Sequence, residues 1–206
     1  MGNTLLYAAV LIVLGIIVNG LAGYALAKIK FPFSDKWLLI IMMLMIIPTE
    51  TIITINFLTI AKMGLLNTII GYVLPMIVNP FNIFLFRQVF VSLPDDIYEA
   101  AQLDRCGPVK YFFTMVLPMS KTVVATVSVF TFLNVWNDYL WPMTVLENVE
   151  YMTISAGLVL TYTKEHSANM PLQFAGYLVA SAPLILLFVA ANKYYIEGLV
   201  GASIKM

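Results

Sequence analysis

Two carboxylates lie inside long apolar stretches of this sequence. Glu50 is the one charged residue between positions 37 and 60, and Asp138 belongs to the polar segment 134–139 within another apolar run. A carboxylate is costly to expose to lipid, so each should face a protein interior or a wet cavity. There it can accept hydrogen bonds from the hydroxyl groups of a polar solute. If the two carboxylates faced each other at short range, acid–base catalysis would be the alternative.

Segment 134–139 adds amides and aromatic rings to these carboxylates. Asn and Asp side chains hydrogen-bond hydroxyls, and the rings of Trp136, Tyr139 and Trp141 have the shape to stack on a sugar ring. Aromatic side chains near the end of an apolar run also form the belt at a membrane surface, and this alternative stays open. The candidate residues for a solute pathway are Glu50, Asn134, Trp136, Asn137, Asp138 and Tyr139.

Several other kinds of chemistry are excluded by the sequence. It has no G-x-x-x-x-G-K-S/T phosphate loop, so the chain should not hydrolyse nucleotides itself. One histidine and one cysteine do not make a metal site or an internal disulfide. No Ser-His-Asp set can be placed together. We therefore expect no catalytic residue, no metal ion and no cofactor on this chain.

The elements that position the polar residues should be membrane helices. Of the 206 residues, 61% are hydrophobic and 11% are charged, whereas a soluble domain carries about 25% charged residues. The net charge of zero gives no indication of a nucleic-acid partner. The predicted fold class is an all-α polytopic membrane protein, with a single transmembrane domain over residues 1–206.

Apolar runs of about 20 residues, the length that crosses the hydrocarbon layer, predict five spans. Their approximate bounds are 3–27, 37–60, 65–86, 122–146 and 172–195, with a long polar loop at 88–121 and an outer loop at 147–171. With alternating spans, nine of the 11 Lys and Arg residues fall on the same side of the membrane as loop 88–121 and the C-terminus. Because Lys and Arg favour the cytoplasmic side, loop 88–121 and the C-terminus should be cytoplasmic and Met1 should be outside.

Small residues and a proline predict how the first two spans are built. Gly15, Gly20 and Gly23 should let another helix approach the first span closely. Pro48 interrupts the second span and frees a backbone carbonyl that needs a polar neighbour. In the outer loop, a short amphipathic piece at 154–160 is expected to lie on the surface.

Prolines also predict bends in the later spans. Pro75 and Pro80 should bend the third span, and Pro183 lies inside the fifth. Asn79 and Asn82 offer polar groups that can satisfy the backbone freed by the bend.

Loop 88–121 carries dense charges together with signals for helix ends. Its segment 94–96, a proline followed by two acids, is typical of a first helical turn. Residues 106–108, Cys-Gly-Pro, should end that helix. A second helix is expected over 109–116, ended near the Leu-Pro pair at 117–118. The loop therefore predicts two short helices at a bend, in water between membrane spans.

The same loop resembles the cytoplasmic EAA loop of the permeases of bacterial ABC importers. That family's motif is Glu-Ala-Ala, three residues, Gly, nine residues and Ile-x-Leu-Pro. The residues in register with this motif are Glu99, Ala100, Ala101, Met115 in place of isoleucine, Leu117 and Pro118. Two further segments resemble the carbohydrate permeases in particular: Asp104-x-Cys106-Gly107-Pro108 and Trp136-Asn137-Asp138. The family's glycine falls on Arg105, where an arginine with a positive φ would be strained. Gly107 could supply the turn instead.

The resemblance implies a function and a set of partners. The chain would be a permease subunit of an ATP-driven, binding-protein-dependent sugar importer of the maltose type, in a bacterial inner membrane. It would form half of the pathway with a second permease. It would dock on an ABC ATPase dimer, which binds the ATP and magnesium, and receive sugar from an extracytoplasmic sugar-binding protein. The implied coupling residues are Glu99, Ala100, Ala101, Asp104, Gly107, Leu117 and Pro118, with Glu99 paired to a basic residue across the interface.

Three alternatives stay open. Members of that family have six spans, whereas this chain begins where the second would, near Asn3; with Arg105 this suggests a truncated or degenerate permease. A permease for another small solute would carry the same loop type. An intramembrane enzyme would use Glu50 and Asp138 as its acid and base.

Overall fold

The chain folds almost entirely into helices. The structure, a computed structural model, describes residues 1–29, 31–103, 105–164 and 170–203. The α-helices in those ranges are α1 (Gly2–Lys28), α2 (Ser34–Met43), α3 (Thr49–Lys62), α4 (Ile69–Val73), α5 (Pro80–Val91), α6 (Asp95–Leu103), α7 (Pro108–Tyr111), α8 (Leu117–Met119), α9 (Lys121–Asn137), α10 (Leu140–Val145), α11 (Ile154–Lys164) and α12 (Met170–Ser203). Strands are absent from the described ranges, which confirms the predicted all-α fold class.

By length and composition, two helices can cross a membrane unbroken. They are α1 and the first part of α12, Met170–Val189. Three further pairs of helices qualify only if each pair is counted as one bent span, which gives up to five in the described residues. In the last pair, α9 covers the predicted fourth span as far as Asn137, and the helical stretch before it, Pro108–Met119, belongs to the predicted loop.

Prolines divide the bent pairs. The second predicted span is two helices, Lys36–Ile46 and Thr49–Lys62, at an angle of 95°. Ile47 and Pro48 are both extended, with ψ values of 116° and 132°, because the residue before a proline is sterically excluded from the helical region. The expected bend of the third span is confirmed, since Ile69–Met76 and Pro80–Val91 meet at 54°.

Loop 88–121 contains the two expected helices, but the second is longer than predicted. The first is α6, which begins at Asp95. The second is helical from Pro108 through Met119, so it extends beyond the predicted 109–116 and ends one residue after Pro118, close to the predicted end, before the chain turns by 85° into α9. It contains a π-helical turn at Phe112–Val116, in which the Leu117 N–H donates to the Phe112 carbonyl. This wider turn lets the helix continue past a proline that has no N–H to donate.

Two glycines let α1 lie directly against its neighbours. A Cβ atom on Gly23 would be 2.7 Å from the Phe86 Cβ and 3.0 Å from the backbone nitrogen of Arg87. One on Gly20 would be 3.0 Å from the Phe112 ring. The predicted close approach is therefore confirmed at these two positions. At Gly15 it is wrong, because the one atom within 4 Å belongs to a side chain of α1 itself.

Two buried clusters form at opposite ends of α1. The first core cluster contains Tyr7, Ala8, Leu11, Ile60, Tyr72, Val73, Val135, Trp141, Val145 and Leu146. The second core cluster contains Tyr24, Phe86, Phe90, Ala101, Tyr111, Phe112, Val116, Val123 and Val127. Since α6 contributes to the second cluster and α10 to the first, α1 connects the two ends of the molecule.

The segment expected to lie on the surface at 154–160 is instead packed. It forms the first part of α11, which contacts α9, α10 and α12. Ala156 is fully buried, and the Ile154 N–H donates to the Thr4 hydroxyl at 2.9 Å. The backbone at the start of α11 is thus satisfied by α1, and this contact between distant segments is absent from the local sequence pattern.

Candidate functional site

A cavity of about 410 Å³ lies where the bent helices meet α1 and α9. The start of α3, the break between α4 and α5, and the end of α9 all contribute to its wall. Its polar lining consists of Thr49, Glu50, Asn56, Asn79, Asn82, Thr131, Asn134 and Asp138. Broken helices expose backbone and polar side chains at membrane depth where they line a cavity. The cavity is therefore the place where this chain can hold a polar solute.

Three of the six residues predicted for a solute pathway share this cavity. Glu50 is in the first turn of α3, Asn134 is in the last turn of α9, and Asp138 follows α9 directly. Residues 50 and 134–138 are far apart in sequence, and the bends at Pro48 and after Asn137 bring them to one wall. The carboxylates and amides there can accept or donate hydrogen bonds to solute hydroxyls.

The other three predicted residues lie outside the cavity lining. Trp136 is 2% exposed, stacks on Phe132 and donates its indole N–H to the Ala180 carbonyl at 3.0 Å. This geometry packs α9 against α12. The Asn137 amide donates back to the Leu133 carbonyl in its own helix at 2.8 Å, and Tyr139 is exposed.

The backbone break after α9 holds the Asp138 carboxylate in place. Its Oδ1 accepts from the Trp141 N–H at 3.3 Å, and its carbonyl accepts from the Thr153 hydroxyl at 3.1 Å. Its Oδ2 is buried, and the Tyr72 hydroxyl, also buried, interacts with the carboxylate. A carboxylate can accept more hydrogen bonds than these groups supply, so a hydroxyl of a solute or of water can add another.

Asn19, which sequence reasoning missed, holds the break between α4 and α5. This fully buried side chain donates to the Ile77 carbonyl at 2.9 Å and accepts from the Asn79 N–H at 2.9 Å. Asn79 in turn accepts from the Phe81 and Asn82 N–H groups at 2.9 and 3.2 Å. The predicted role of Asn79 in satisfying freed backbone is confirmed. A polar residue in the uncharged first span was the available signal for Asn19.

Asn82 does not have the expected role of satisfying the backbone freed by the bend. Its side chain is 5% exposed, lines the cavity, and its amide lies 3.5 Å from the Thr131 hydroxyl. The freed backbone is satisfied by Asn79 without it. Asn82 therefore adds a weakly bonded amide to the cavity wall, which leaves hydrogen-bonding capacity for a solute.

A second site is formed by α6, the helix that carries Glu99. Ala101 is 2% exposed in the second core cluster, and Ile97 and Tyr98 pack against that cluster. On the other side Glu99 is exposed, and Leu103 is 86% exposed. The helix is thus anchored by one face and presents an acidic residue and a large apolar residue on the other.

Lys28, the last residue of α1, ties α6 to the body of the molecule. Its ammonium donates to the Leu93 carbonyl at 2.7 Å and to the Asp95 carboxylate at 2.6 Å. The Lys28 side chain is 7% exposed. A buried ammonium needs such partners because an unpaired buried charge is strongly unfavourable. The contacts fix the segment that leads into α6.

The C-terminus of α6 ends in a turn that normally uses glycine. The Cys106 N–H donates to the Ala101 carbonyl at 2.9 Å, and Arg105 has a φ of +54°. A hydrogen bond of this span with a left-handed residue before its donor is the Schellman motif. Arg105 therefore adopts the conformation expected of the glycine, whereas Gly107 has an ordinary φ of −65°.

The remaining residues of the predicted coupling set have separate positions. Gly107 precedes α7, and Leu117 and Pro118 lie in α8, where Leu117 packs against the second core cluster and Pro118 is exposed. Ala100 lies within α6. Asp104 is outside the described residues.

The chain is similar over its length to known transport proteins. It is 31% identical over 204 residues, 99% of this chain and 73% of the relative, to the arabinooligosaccharides transport system permease protein AraQ of Halalkalibacterium halodurans. It is 32% identical over 202 residues, 98% of this chain and 72% of the relative, to the sn-glycerol-3-phosphate transport system permease protein UgpE of Pectobacterium atrosepticum.

A solved structure shares the fold. It is that of a bacterial ABC transporter involved in the import of the acidic polysaccharide alginate, and one of its chains matches with a TM-score of 0.81 at 24% identity, over 94% of this chain and 73% of that chain. Residues 12–199 match the family described as binding-protein-dependent transport system inner membrane component. This match covers most of the sequence, and the chain therefore belongs to that family of membrane permeases.

Proposed function

We propose that this chain is a permease subunit of an ATP-driven sugar importer and forms half of its translocation pathway. The observation that carries the proposal is the cavity at the bends of the helices, which groups Glu50, Asn134 and Asp138 among apolar walls. Carboxylates and amides of this kind hydrogen-bond sugar hydroxyls. The relatives named for arabinooligosaccharide transport support a sugar as the solute.

Coupling to ATP hydrolysis is assigned to α6. An anchored helix with an exposed carboxylate is suited to dock in a cleft of another subunit, and Glu99 would pair there with a basic residue. The partners in this proposal are an ABC ATPase dimer, a second permease and an extracytoplasmic sugar-binding protein. ATP and magnesium belong to the ATPase. The excess of Lys and Arg on the side of the chain that holds α6 supports a cytoplasmic position for α6 in a bacterium.

A second candidate solute is a phosphate ester. The relatives named for sn-glycerol-3-phosphate transport are 31 or 32% identical to this chain, as similar as the arabinooligosaccharide relatives. Identity at this level does not separate a neutral sugar from a phosphorylated polyol. The two carboxylates that line the cavity, Glu50 and Asp138, favour the neutral sugar.

The docking step is tested by co-purification of the assembled importer. The chain would be expressed together with the ATPase and second permease of its importer, as wild type and as Glu99→Ala, with Glu150→Ala as the control. Glu150 is also exposed but lies far from α6, near the start of α1, where its backbone carbonyl accepts from Asn3. Retention of the ATPase should fall for Glu99→Ala only. Failure of the wild-type chain to retain any ATPase would contradict the proposal.

A further inference from the structure

The cavity carries negative charge without a balancing cation. Glu50 and Asp138 both line it, and Lys, Arg and His are absent from its wall as far as the described residues define it. Glu50 is exposed in the first turn of α3, and Asp138 is held by its bond from the Trp141 N–H. A phosphate or carboxylate that entered this half of the pathway would therefore be repelled by both carboxylates.

Two helix N-termini also face the cavity, and these are the usual binding sites for anions. At α5, however, the Asn79 side chain already accepts from the Phe81 and Asn82 N–H groups. At α3, Glu50 places its own carboxylate in the first turn. The N-terminus of α5 is thus capped within the chain. The N-terminus of α3 has no side-chain cap, and the negative charge of Glu50 beside it opposes the approach of an anionic group of a solute.

The groups that remain suit a solute with hydroxyls. The Asp138 Oδ2 is buried beside the cavity, and an ionised carboxylate can only accept hydrogen bonds, so it suits a solute that offers O–H donors. The amides of Asn56 and Asn134 can both donate and accept. Leu11, Ile53 and Trp141 supply apolar surface beside them, as the C–H faces of sugar rings require.

We infer that the cavity selects uncharged oligosaccharides and rejects phosphorylated or acidic ones, with Glu50 and Asp138 as the residues that determine this specificity. The inference rests on the proposed importer function and gives the charge class of its solute. It separates this chain from the transport activities in the names of several relatives, which concern a phosphate ester. Like-charge repulsion over several ångströms corresponds to a discrimination of about tenfold or more.

The test is equilibrium binding to the complete importer in nanodiscs, without the binding protein, so that the pathway alone sets the specificity. The neutral probes are arabinotriose and maltotriose, and the anionic probes are sn-glycerol 3-phosphate and trigalacturonate. The variants are Glu50→Gln, Asp138→Asn and both together, each of which keeps the shape of the side chain. Glu150→Gln, an exposed carboxylate outside the cavity, is the control for the change in net charge.

In the wild type we expect at least one neutral probe to bind about tenfold or more tightly than either anion. The ratio of the affinity for the neutral probe to the affinity for the anion should fall by about tenfold in the double variant. It should fall by less in each single variant and stay unchanged in Glu150→Gln. Equal or tighter binding of an anion by the wild type would overturn the inference while leaving the importer function intact. Binding of none of the probes would overturn the cavity as a solute site, and loss of ATPase co-purification would separately contradict the function itself.

Discussion

Among the described residues of loop 88–121, Arg105 has an unfavourable backbone conformation. Its φ of +54° lies in the left-handed region, which costs a side chain with a Cβ about 1–2 kcal/mol. The Schellman bond from the Cys106 N–H to the Ala101 carbonyl is nevertheless formed at 2.9 Å. Burial of Ala101 in the second core cluster holds the end of α6 in place. The turn is therefore made without the glycine that its motif prefers, at a cost to local stability.

Replacing Arg105 by glycine should stabilise the end of α6. Relief of the left-handed strain exceeds the added entropy of glycine in the unfolded chain, and the net gain should be up to about 1 kcal/mol. Hydrogen–deuterium exchange of the peptide that contains Cys106 should slow in Arg105→Gly. Arg105→Ala, which removes the charge and keeps the Cβ, is the matched control and should show no such gain. Equal protection of both variants would show that charge, not strain, is responsible.

The element that organises the molecule is α1. Asn19 holds the break between α4 and α5, Gly23 lies against α5, and Lys28 bonds the segment leading into α6. Leu11 lines the cavity from the same helix. One straight helix thus contacts both the wall of the solute cavity and the helix that carries Glu99. A rigid element of this kind can transmit displacement between the two sites.

Lys28→Met should detach α6 from α1. The substitution removes the donor to the Leu93 carbonyl and the ion pair with Asp95, which should destabilise the contact by about 1–3 kcal/mol. Faster hydrogen–deuterium exchange in α6 and weaker retention of the ATPase are the expected results. Lys28→Arg keeps the charge and donors and should recover most of both. Unchanged exchange in Lys28→Met would show that the contact does not hold α6.

Gly23→Ala should weaken the contact between α1 and α5. The new Cβ would lie 2.7 Å from the Phe86 Cβ and 3.0 Å from backbone atoms of α5, so the helices must move apart at a cost of about 1–3 kcal/mol. Gly157→Ala in α11 is the matched control, because nothing lies within 4 Å of its Cβ position. Thermal unfolding in detergent should begin at a lower temperature for Gly23→Ala only. A loss of similar size at Gly157 would point to a general effect of removing helical glycines.

The features of the helices that the sequence could predict are those set by a few neighbouring residues. Pro48, Pro75 and Pro80 identified the breaks, and Asn79 the cap, because those signals depend on a few neighbouring residues. The 95° angle at Pro48 depends on what each half packs against, which no local pattern contains.

Contacts between distant segments explain the remaining differences. Asn19 bonds a carbonyl 58 residues away and Lys28 one 65 residues away, so neither appeared among the predicted site residues. Trp136 was predicted to line the solute pathway because it has an aromatic ring and lies in the polar segment 134–139. Its ring is used to pack α9 against α12, a contact that depends on a segment 44 residues further on.

The molecule as a whole has the features expected of one half of a larger assembly. The cavity lies at the breaks of its helices and the anchored α6 lies at the other end of α1. The apolar side chains of α12 between Met170 and Val189 are largely exposed, as expected for a helix that faces lipid or another membrane subunit. The proposed solute site and the proposed docking helix thus lie on separate elements, and α1 contacts both.

In the proposed importer, α6 couples solute in the pathway to ATP hydrolysis by a partner. This coupling can be measured as ATP hydrolysis by the complete importer in proteoliposomes, with and without sugar-loaded binding protein, for the wild type and Glu99→Gln. We expect stimulation by the loaded binding protein in the wild type and its loss in Glu99→Gln, with probe binding in the cavity unchanged. Equal stimulation of the two proteins, or none in the wild type, would contradict it.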